Sequence, residues 1–148
     1  MTVLVDTNVL LRARHPGGPH HDECVRAVEH LRRRSHVPAV CAQVLIEYWV
    51  VATRPVDVNG FGLSVADAVQ DLRYICNSLS CLPEPPDIAR RWRDIAEQYG
   101  VQGLKAHDAR LVALMQAHNI TRLVTLDPDD FSRYEGISVL TPASILSR

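Results

Sequence analysis

The stretch Val3-Leu4-Val5-Asp6-Thr7-Asn8 decides the fold of this chain, because a run of aliphatic residues ends abruptly in an acid. A short apolar run of this kind predicts a strand buried in a parallel sheet. Asp6, Thr7 and Asn8 favour the first positions of a helix, and apolar residues follow them. A second run, Arg122 to Leu126, ends in the same way at Asp127. The sequence therefore predicts two buried strands that each end in a carboxylate.

Strand-like and helix-like stretches alternate along the rest of the chain. This alternation predicts a three-layer α/β fold around a central, mainly parallel sheet. With 148 residues, we expect residues 1–148 to form a single domain. The predicted strands are Thr2–Val5, Val37–Val40, Cys81-Leu82, Arg122–Leu126 and Ile137–Leu140, and the main predicted helices are 21–34, 41–53, 64–79, 87–99 and 107–118.

The composition excludes several broad classes of protein. The chain is 47% apolar and 22% charged, which is typical of a globular protein and not of a disordered one. Its net charge of −1 excludes nucleic-acid binding through overall positive charge, but it does not exclude binding through a local basic patch. Neither a membrane-spanning run nor a secretory signal is visible, so we expect a cytoplasmic protein that does not contact the membrane. The four cysteines have neither zinc-site spacing nor a disulfide pattern.

Acidic residues fall at positions where folding would bring them together. The carboxyl ends of parallel strands meet at one edge of a sheet, so Asp6 and Asp127 are expected at that edge. Glu47 lies on the same helix face as the apolar Val44 and Val51. A carboxylate on such a face costs free energy unless it is paired or binds a cation, although a rim glutamate paired with an arginine is the alternative. Helix capping alone is the alternative explanation for Asp6.

Two more acids are candidates for the same edge. Asp108 lies at the start of a predicted helix, where interaction with the helix dipole would also explain it. Asp130 belongs to the segment Asp127-Pro128-Asp129-Asp130, in which one or two acids point inward and the rest are solvated turn residues. The sequence leaves open which of Asp127 and Asp130 is the inward acid.

A cluster of these carboxylates has limited chemical options. Two unit charges 4 Å apart repel by about 4 kcal/mol at an effective dielectric constant of 20. The cluster must therefore raise some pKa values or bind a cation. Oxygen ligands select hard ions such as Mg²⁺ or Mn²⁺ over zinc. Such a site suits metal-assisted hydrolysis of a phosphodiester bond.

Four segments of the sequence, in this order, resemble the motifs of PIN-domain nucleases, and among these the VapC-type toxins of toxin–antitoxin pairs. The resemblance extends over nearly the whole chain. The segments are Val3 to Leu10, Gln43 to Trp49 with Thr53-Arg54-Pro55, His107 to Ala113, and Leu123 to Asp127 with Asp130-Phe131.

The resemblance implies an α/β/α PIN fold and an endoribonuclease that depends on Mg²⁺ or Mn²⁺. By the same resemblance, Asp6 and Asp108 would be the principal catalytic metal ligands, with Glu47 as the third acid and Asp127 as the fourth. Some relatives carry the fourth acid just before the Phe, which here is Asp130. Thr7, Asn8 and Thr125 would be supporting polar groups. The resemblance also implies an RNA substrate, a small cognate antitoxin and a homodimer.

RNA binding requires local positive charge, and four arginines near the motifs are candidates for phosphate contacts: Arg12, Arg14, Arg54 and Arg110. Two alternatives to the nuclease remain. A haloacid-dehalogenase-like phosphatase would also begin with an acid after the first strand, but it needs a second acid two residues later, where this chain has Asn8, and a nearby lysine, for which only Lys105 is available. A catalytically silent PIN fold that binds only an antitoxin is the other alternative.

Overall fold

A computed structural model describes all residues from Met1 to Arg148. Its centre is a five-stranded sheet in which every neighbouring pair is parallel. The strands are β1 (Thr2–Val5), β2 (Val37–Cys41), β3 (Ser80–Leu82), β4 (Arg122–Val124) and β5 (Ser138–Leu140). Their order in the sheet is β3-β2-β1-β4-β5.

Seven α-helices connect and cover the strands, so the predicted three-layer α/β/α architecture is confirmed. The helices are α1 (Thr7–Arg14), α2 (His21–Arg33), α3 (Ala42–Thr53), α4 (Val65–Ser78), α5 (Ile88–Gln98), α6 (Ala106–Ala117) and α7 (Pro142–Leu146). Helix α2 packs on α1 and α7, α3 packs on α1 and α4, and α5 packs on α6. None of the helices is both long and apolar enough to cross a membrane.

The central strand β1 fixes where a ligand can bind. Its residues Val3, Leu4 and Val5 have no exposed surface, as the aliphatic run predicts. Fully burying a Val or Leu side chain contributes about 1.5–3 kcal/mol relative to leaving it exposed. The chain passes from β1 to β2 on one side and returns later to place β4 on the other side. In open parallel sheets, ligands bind beyond the carboxyl ends of the strands at such a switch in order.

Strand β4 is shorter than the sequence predicted, because it ends at Val124 and not at Leu126. The amide of Thr125 still donates to the carbonyl of Leu140 in β5 at 2.9 Å, but side chains bind the two amide groups that follow. The amide of Leu126 donates to Oδ1 of Asn8 at 3.1 Å, and the amide of Asp127 donates to Oγ1 of Thr125 at 3.1 Å. These bonds turn the chain out of the sheet directly above the end of β1.

Candidate active site

Asp6 follows β1 directly and caps the N-terminus of α1. Its Oδ1 accepts the backbone N–H of Thr7 at 2.8 Å, and its Oδ2 accepts the hydroxyl of Thr125 at 2.8 Å. Thr125 itself follows β4, so the two central strands meet through this bond. Asp6 makes no ion pair with an Arg, Lys or His. Asp6 therefore caps helix α1 and also places a carboxylate at the edge of the sheet.

Glu47 reaches the same edge from α3. Its Oε2 accepts the hydroxyl of Thr7 at 2.9 Å, and its Oε1 accepts the side-chain amide of Gln43 at 3.0 Å. Both donors are neutral, so the negative charge of Glu47 is oriented but not neutralised. The alternative of a rim glutamate paired with an arginine does not describe these contacts.

Asp108 lies in the first turn of α6 and completes a group of three acids. The pKa of Asp6 is raised to about 6, mainly by burial; the charges of Glu47 and Asp108 add to the rise, and the hydrogen bonds from Thr125 and Thr7 oppose it. Burial also raises the pKa of Asp108 to about 6, with contributions from the charges of Asp130 and Glu47. The charge of Glu47 therefore acts on the pKa of both Asp6 and Asp108.

Asp130 lies beside Asp108 at the rim of the group. The Nζ of Lys105 donates to Oδ1 of Asp130 at 2.6 Å and lies 4.0 Å from Oδ2 of Asp108. Lys105 therefore offsets part of the negative charge on the outer side. Sequence reasoning gave Lys105 no place in this site, although its position three residues before Asp108 on a helical turn is a usable signal.

Asp127 occupies a different place, exposed at the end of the turn after β4. Its Oδ2 accepts the side-chain amide of Asn8 at 3.0 Å, and the same amide lies 3.3 Å from Oγ1 of Thr125. Asp127 is thus connected to Asp6 through Asn8 and Thr125. The charges that act on Asp108 include that of Asp130 and not that of Asp127.

Gln43 is a site residue that sequence reasoning did not identify as such. It is buried, and its Nε2 donates to Glu47 and, at 2.7 Å, to the carbonyl of His107. Its Oε1 accepts Nη1 of Arg110 at 2.9 Å, and Nη2 of Arg110 binds Glu84. The available signal was the spacing of four residues between Gln43 and Glu47, which places them on one helix face.

The four candidate arginines have different environments. Arg12 lines a cavity of about 310 Å³ together with Asn8, whose amide donates to Asp127. Arg14 binds Asp71 at 2.8 Å, and Arg54 donates to the carbonyl of Asn59 at 2.9 Å. The guanidinium of Arg110 is held by Gln43 and Glu84.

The donor chemistry of the site fits a hard divalent cation. The pKa values of Asp6 and Asp108 are raised by burial and by the charge of Glu47, which places the three carboxylates in one neighbourhood. Neither Asp6 nor Glu47 is paired with a cation of the protein, and their hydrogen-bond donors are neutral. The side chains do not already form a group of three or more His, Cys, Asp or Glu residues arranged to hold a metal ion. The fit therefore rests on oxygen chemistry and charge.

Carboxylates with neutral hydrogen-bond donors are chemically suited to a hard divalent cation. The site lies at the open edge of the sheet, where a long polymer has access. It contains neither a Ser or Cys nucleophile paired with a base nor a glycine-rich phosphate loop. Hydrolysis by water is the chemistry that these residues support.

Comparisons with known proteins agree with this geometry. A sequence model of the PIN domain family matches residues 3–137. The chain is 28% identical over 146 residues to "Ribonuclease VapC48" of Mycobacterium tuberculosis. The alignment covers 97% of this chain and 99% of that protein.

Among solved structures, VapBC2 from Rickettsia felis, bound to a DNA fragment from its promoter, aligns with a TM-score of 0.71 and 19% identity over 95% of this chain and 98% of that one. A toxin–antitoxin complex from Klebsiella pneumoniae aligns with a TM-score of 0.65 and 24% identity, over 95% of this chain and 97% of that one. The sarcin–ricin-loop-cleaving toxin VapC20 of Mycobacterium tuberculosis aligns with a TM-score of 0.63 and 17% identity over 88% and 93%.

Proposed function

The chain belongs to the PIN-domain family, and on this basis we propose that it is a Mg²⁺- or Mn²⁺-dependent endoribonuclease, the toxin of a type II toxin–antitoxin pair. The proposal is supported by the link from Asp6 through Thr7 to Glu47 at the carboxyl end of β1, and by the charges of Glu47 and Asp108 that act on Asp6. Similarity to a curated ribonuclease over almost the whole chain supports the choice of RNA as substrate.

Asp6 and Asp108 would hold the cation, with Glu47 as the third acid. Asp130 is the favoured fourth acid, because its charge raises the pKa of Asp108. Asp127, which accepts the amide of Asn8, is the alternative fourth acid. A Mg²⁺ or Mn²⁺ ion bound there supplies the Lewis acidity that phosphodiester hydrolysis by water needs. Each Asp6 oxygen already accepts one hydrogen bond, so the carboxylate cannot rotate freely and keeps its remaining lone pairs toward the site.

The remaining site residues orient these acids and the RNA. Thr7 and Thr125 donate hydroxyl hydrogen bonds to Glu47 and Asp6, which fixes the two carboxylates relative to each other. Asn8 holds the turn after β4 in place. Arg12, which lines the adjacent cavity, is the proposed phosphate contact of the substrate strand. Arg14, Arg54 and Arg110 remain weaker candidates because other groups already bind their guanidinium groups.

The proposed partners follow from the solved neighbours, one of which is described as a toxin–antitoxin complex. We expect a cognate antitoxin that binds this chain, a homodimer of the toxin, and action in the cytoplasm. The phosphatase alternative requires an acid at position 8, where the amide of Asn8 instead donates to Asp127. The catalytically silent alternative predicts antitoxin binding without cleavage.

Cleavage of RNA by the purified protein tests the proposal. Total cellular RNA incubated with the protein and Mg²⁺ or Mn²⁺ should give discrete fragments, and EDTA should prevent them. The Asp108→Asn variant serves as a control for contaminating nucleases, because it should give no fragments. Absence of fragments with either ion, from protein that still binds its antitoxin, would establish the silent alternative.

A further inference from the structure

Every polar atom of the Gln43 side chain has a partner. Its two amide hydrogens point to Oε1 of Glu47 and the carbonyl of His107, and its oxygen points to Arg110. Exchanging the amide oxygen and nitrogen would turn an acceptor toward two acceptors and a donor toward a donor. Only one amide orientation is therefore compatible with the site.

Gln43 joins the two helices that carry the acids. Glu47 lies one turn further along α3, and His107 immediately precedes Asp108 on α6. A single buried amide thus fixes the distance between the backbone of α6 and the carboxylate of Glu47. Metal ligands depend on partners of this kind, which orient the first set of oxygen atoms.

Gln43 also separates a cation from an acid. Arg110 binds the oxygen of Gln43 and pairs with Glu84, but it makes no ion pair with Glu47. A guanidinium that reached Glu47 would neutralise the charge that a divalent cation needs. The neutral amide between them transmits orientation without transferring charge.

We propose that Gln43 is a positioning residue that fixes Glu47 for cation binding and keeps Arg110 from pairing with it. The inference rests on the proposed function, because it takes Glu47 as a cation ligand. Gln43 touches neither substrate nor cation in this proposal and acts through Glu47 and Arg110.

The test measures Mn²⁺ affinity by electron paramagnetic resonance of the free ion, independently of RNA cleavage. Gln43→Met keeps the size of the side chain and removes its hydrogen bonds. It should weaken Mn²⁺ binding about 10- to 100-fold, the range seen when a partner of a metal ligand is lost. Gln116→Met is the matched control, since Gln116 is an exposed residue of α6, and it should leave the affinity unchanged.

A double-mutant cycle separates positioning from simple packing. Without Gln43, Arg110 is free to pair with Glu47, so adding Arg110→Met to Gln43→Met should restore at least about threefold of the lost affinity. The same Arg110→Met change in the wild-type background should have a smaller effect. Additive effects in the two backgrounds would contradict the separating role.

Kinetics give a second readout. At a fixed low Mn²⁺ concentration, Gln43→Met should lower kcat and leave KM for RNA within about twofold, because the buried side chain does not reach RNA. Higher Mn²⁺ should restore kcat. If Gln43→Met unfolds, Gln43→Asn, whose amide is one methylene too short to span the same contacts, carries the same expectations.

The outcomes distinguish this inference from the proposed function. Unchanged Mn²⁺ affinity in a folded Gln43 variant, with a wild-type protein that binds Mn²⁺ and cleaves RNA, overturns the inference alone. A wild-type protein that neither binds Mn²⁺ nor cleaves RNA overturns the proposed function and the inference with it.

Discussion

Asp6 and Asp71 are almost equally buried, with 9% and 8% of their surfaces exposed, but their pKa values shift in opposite directions. Asp6 receives only neutral hydrogen-bond donors, and burial raises its pKa to about 6. Burial would also raise the pKa of Asp71, but hydrogen bonds from Tyr48 and Arg14 and the charge of Arg14 lower it below its usual value.

The partners of Asp71 form a closed network. Arg14 donates to its Oδ1 at 2.8 Å, and Tyr48 donates to its Oδ2 at 2.5 Å. His15 lies 3.2 Å from the same oxygen, and the Arg14 guanidinium lies 4.2 Å above the Tyr74 ring. The protein therefore supplies its own cation to Asp71 and supplies none to Asp6. The first arrangement stabilises the fold, and the second is suited to an external cation.

The largest expected difference between the two regions is in catalysis. Asp6→Asn removes a proposed cation ligand and should lower the RNA cleavage rate by at least about 100-fold, more than the loss of a ligand's partner. Asp71→Asn should change the rate per folded molecule by less than about twofold, since Asp71 lies outside the site. Initial rates on one RNA substrate, corrected for the folded fraction, check both values. Equal losses in the two variants would remove the distinction.

The next difference concerns stability. Asp71→Asn leaves the half-buried Arg14 and the buried Tyr48 without their carboxylate and should lower the free energy of unfolding by about 2–4 kcal/mol. Urea denaturation at neutral pH measures this change. Asp94→Asn is the control, because Asp94 forms only exposed ion pairs on α5 and should have an effect within about 0.5 kcal/mol. An equally small loss for Asp71→Asn would show that its network does not stabilise the fold.

Asp6→Asn should have the opposite effect on stability. A pKa raised from 3.8 to about 6 indicates that the ionised form costs the folded state free energy at neutral pH. After allowance for the weaker hydrogen bond with Thr125, we expect the variant to be about 1–2 kcal/mol more stable in EDTA at pH 7.5. Urea denaturation in EDTA provides the measurement. A less stable variant would indicate that Asp6 serves the fold and not a ligand.

The pH dependence should show the smallest effect and the same contrast. The folded pKa of Asp6 is raised, so its unfavourable contribution develops as pH rises from about 4 to about 6 and disappears below that window. The folded pKa of Asp71 is lowered, so its favourable contribution is present above its ordinary value of 3.8 and is lost as pH falls further.

Paired denaturation curves at pH 4 and pH 7.5 in EDTA would reveal this sign. The stability gain of Asp6→Asn should shrink toward zero at pH 4, whereas the loss caused by Asp71→Asn should persist at that pH. If the stability gain of Asp6→Asn is the same at both pH values, the gain comes from packing and not from the loss of charge.

The local sequence predicts the part of the site that depends on single elements. The aliphatic run before Asp6 predicts β1, and the helical spacing of Glu47 with Val44 and Val51 predicts that it faces inward. The parallel sheet then brings these residues together. Fold class and convergence therefore follow from periodicity and from the edge rule for parallel strands.

The remaining features depend on contacts between distant residues. Asp71 bonds to Arg14, 57 residues away, and Arg110 bonds to Gln43, 67 residues away, and no local pattern marks such pairs. Strand β4 ends before its apolar run does, because side chains of Asn8 and Thr125 bind the amides of Leu126 and Asp127, which would otherwise extend the strand. Side-chain capture of this kind depends on tertiary position and not on propensity.

The most direct test of the central claim is an anomalous difference map from crystals soaked in Mn²⁺. The convergence of the acids predicts a Mn²⁺ peak bonded to carboxylate oxygens of Asp6 and Asp108 at the carboxyl edge between β1 and β4. A map with no peak at this edge, from crystals in which Mn²⁺ is bound elsewhere, would contradict the proposed cation site.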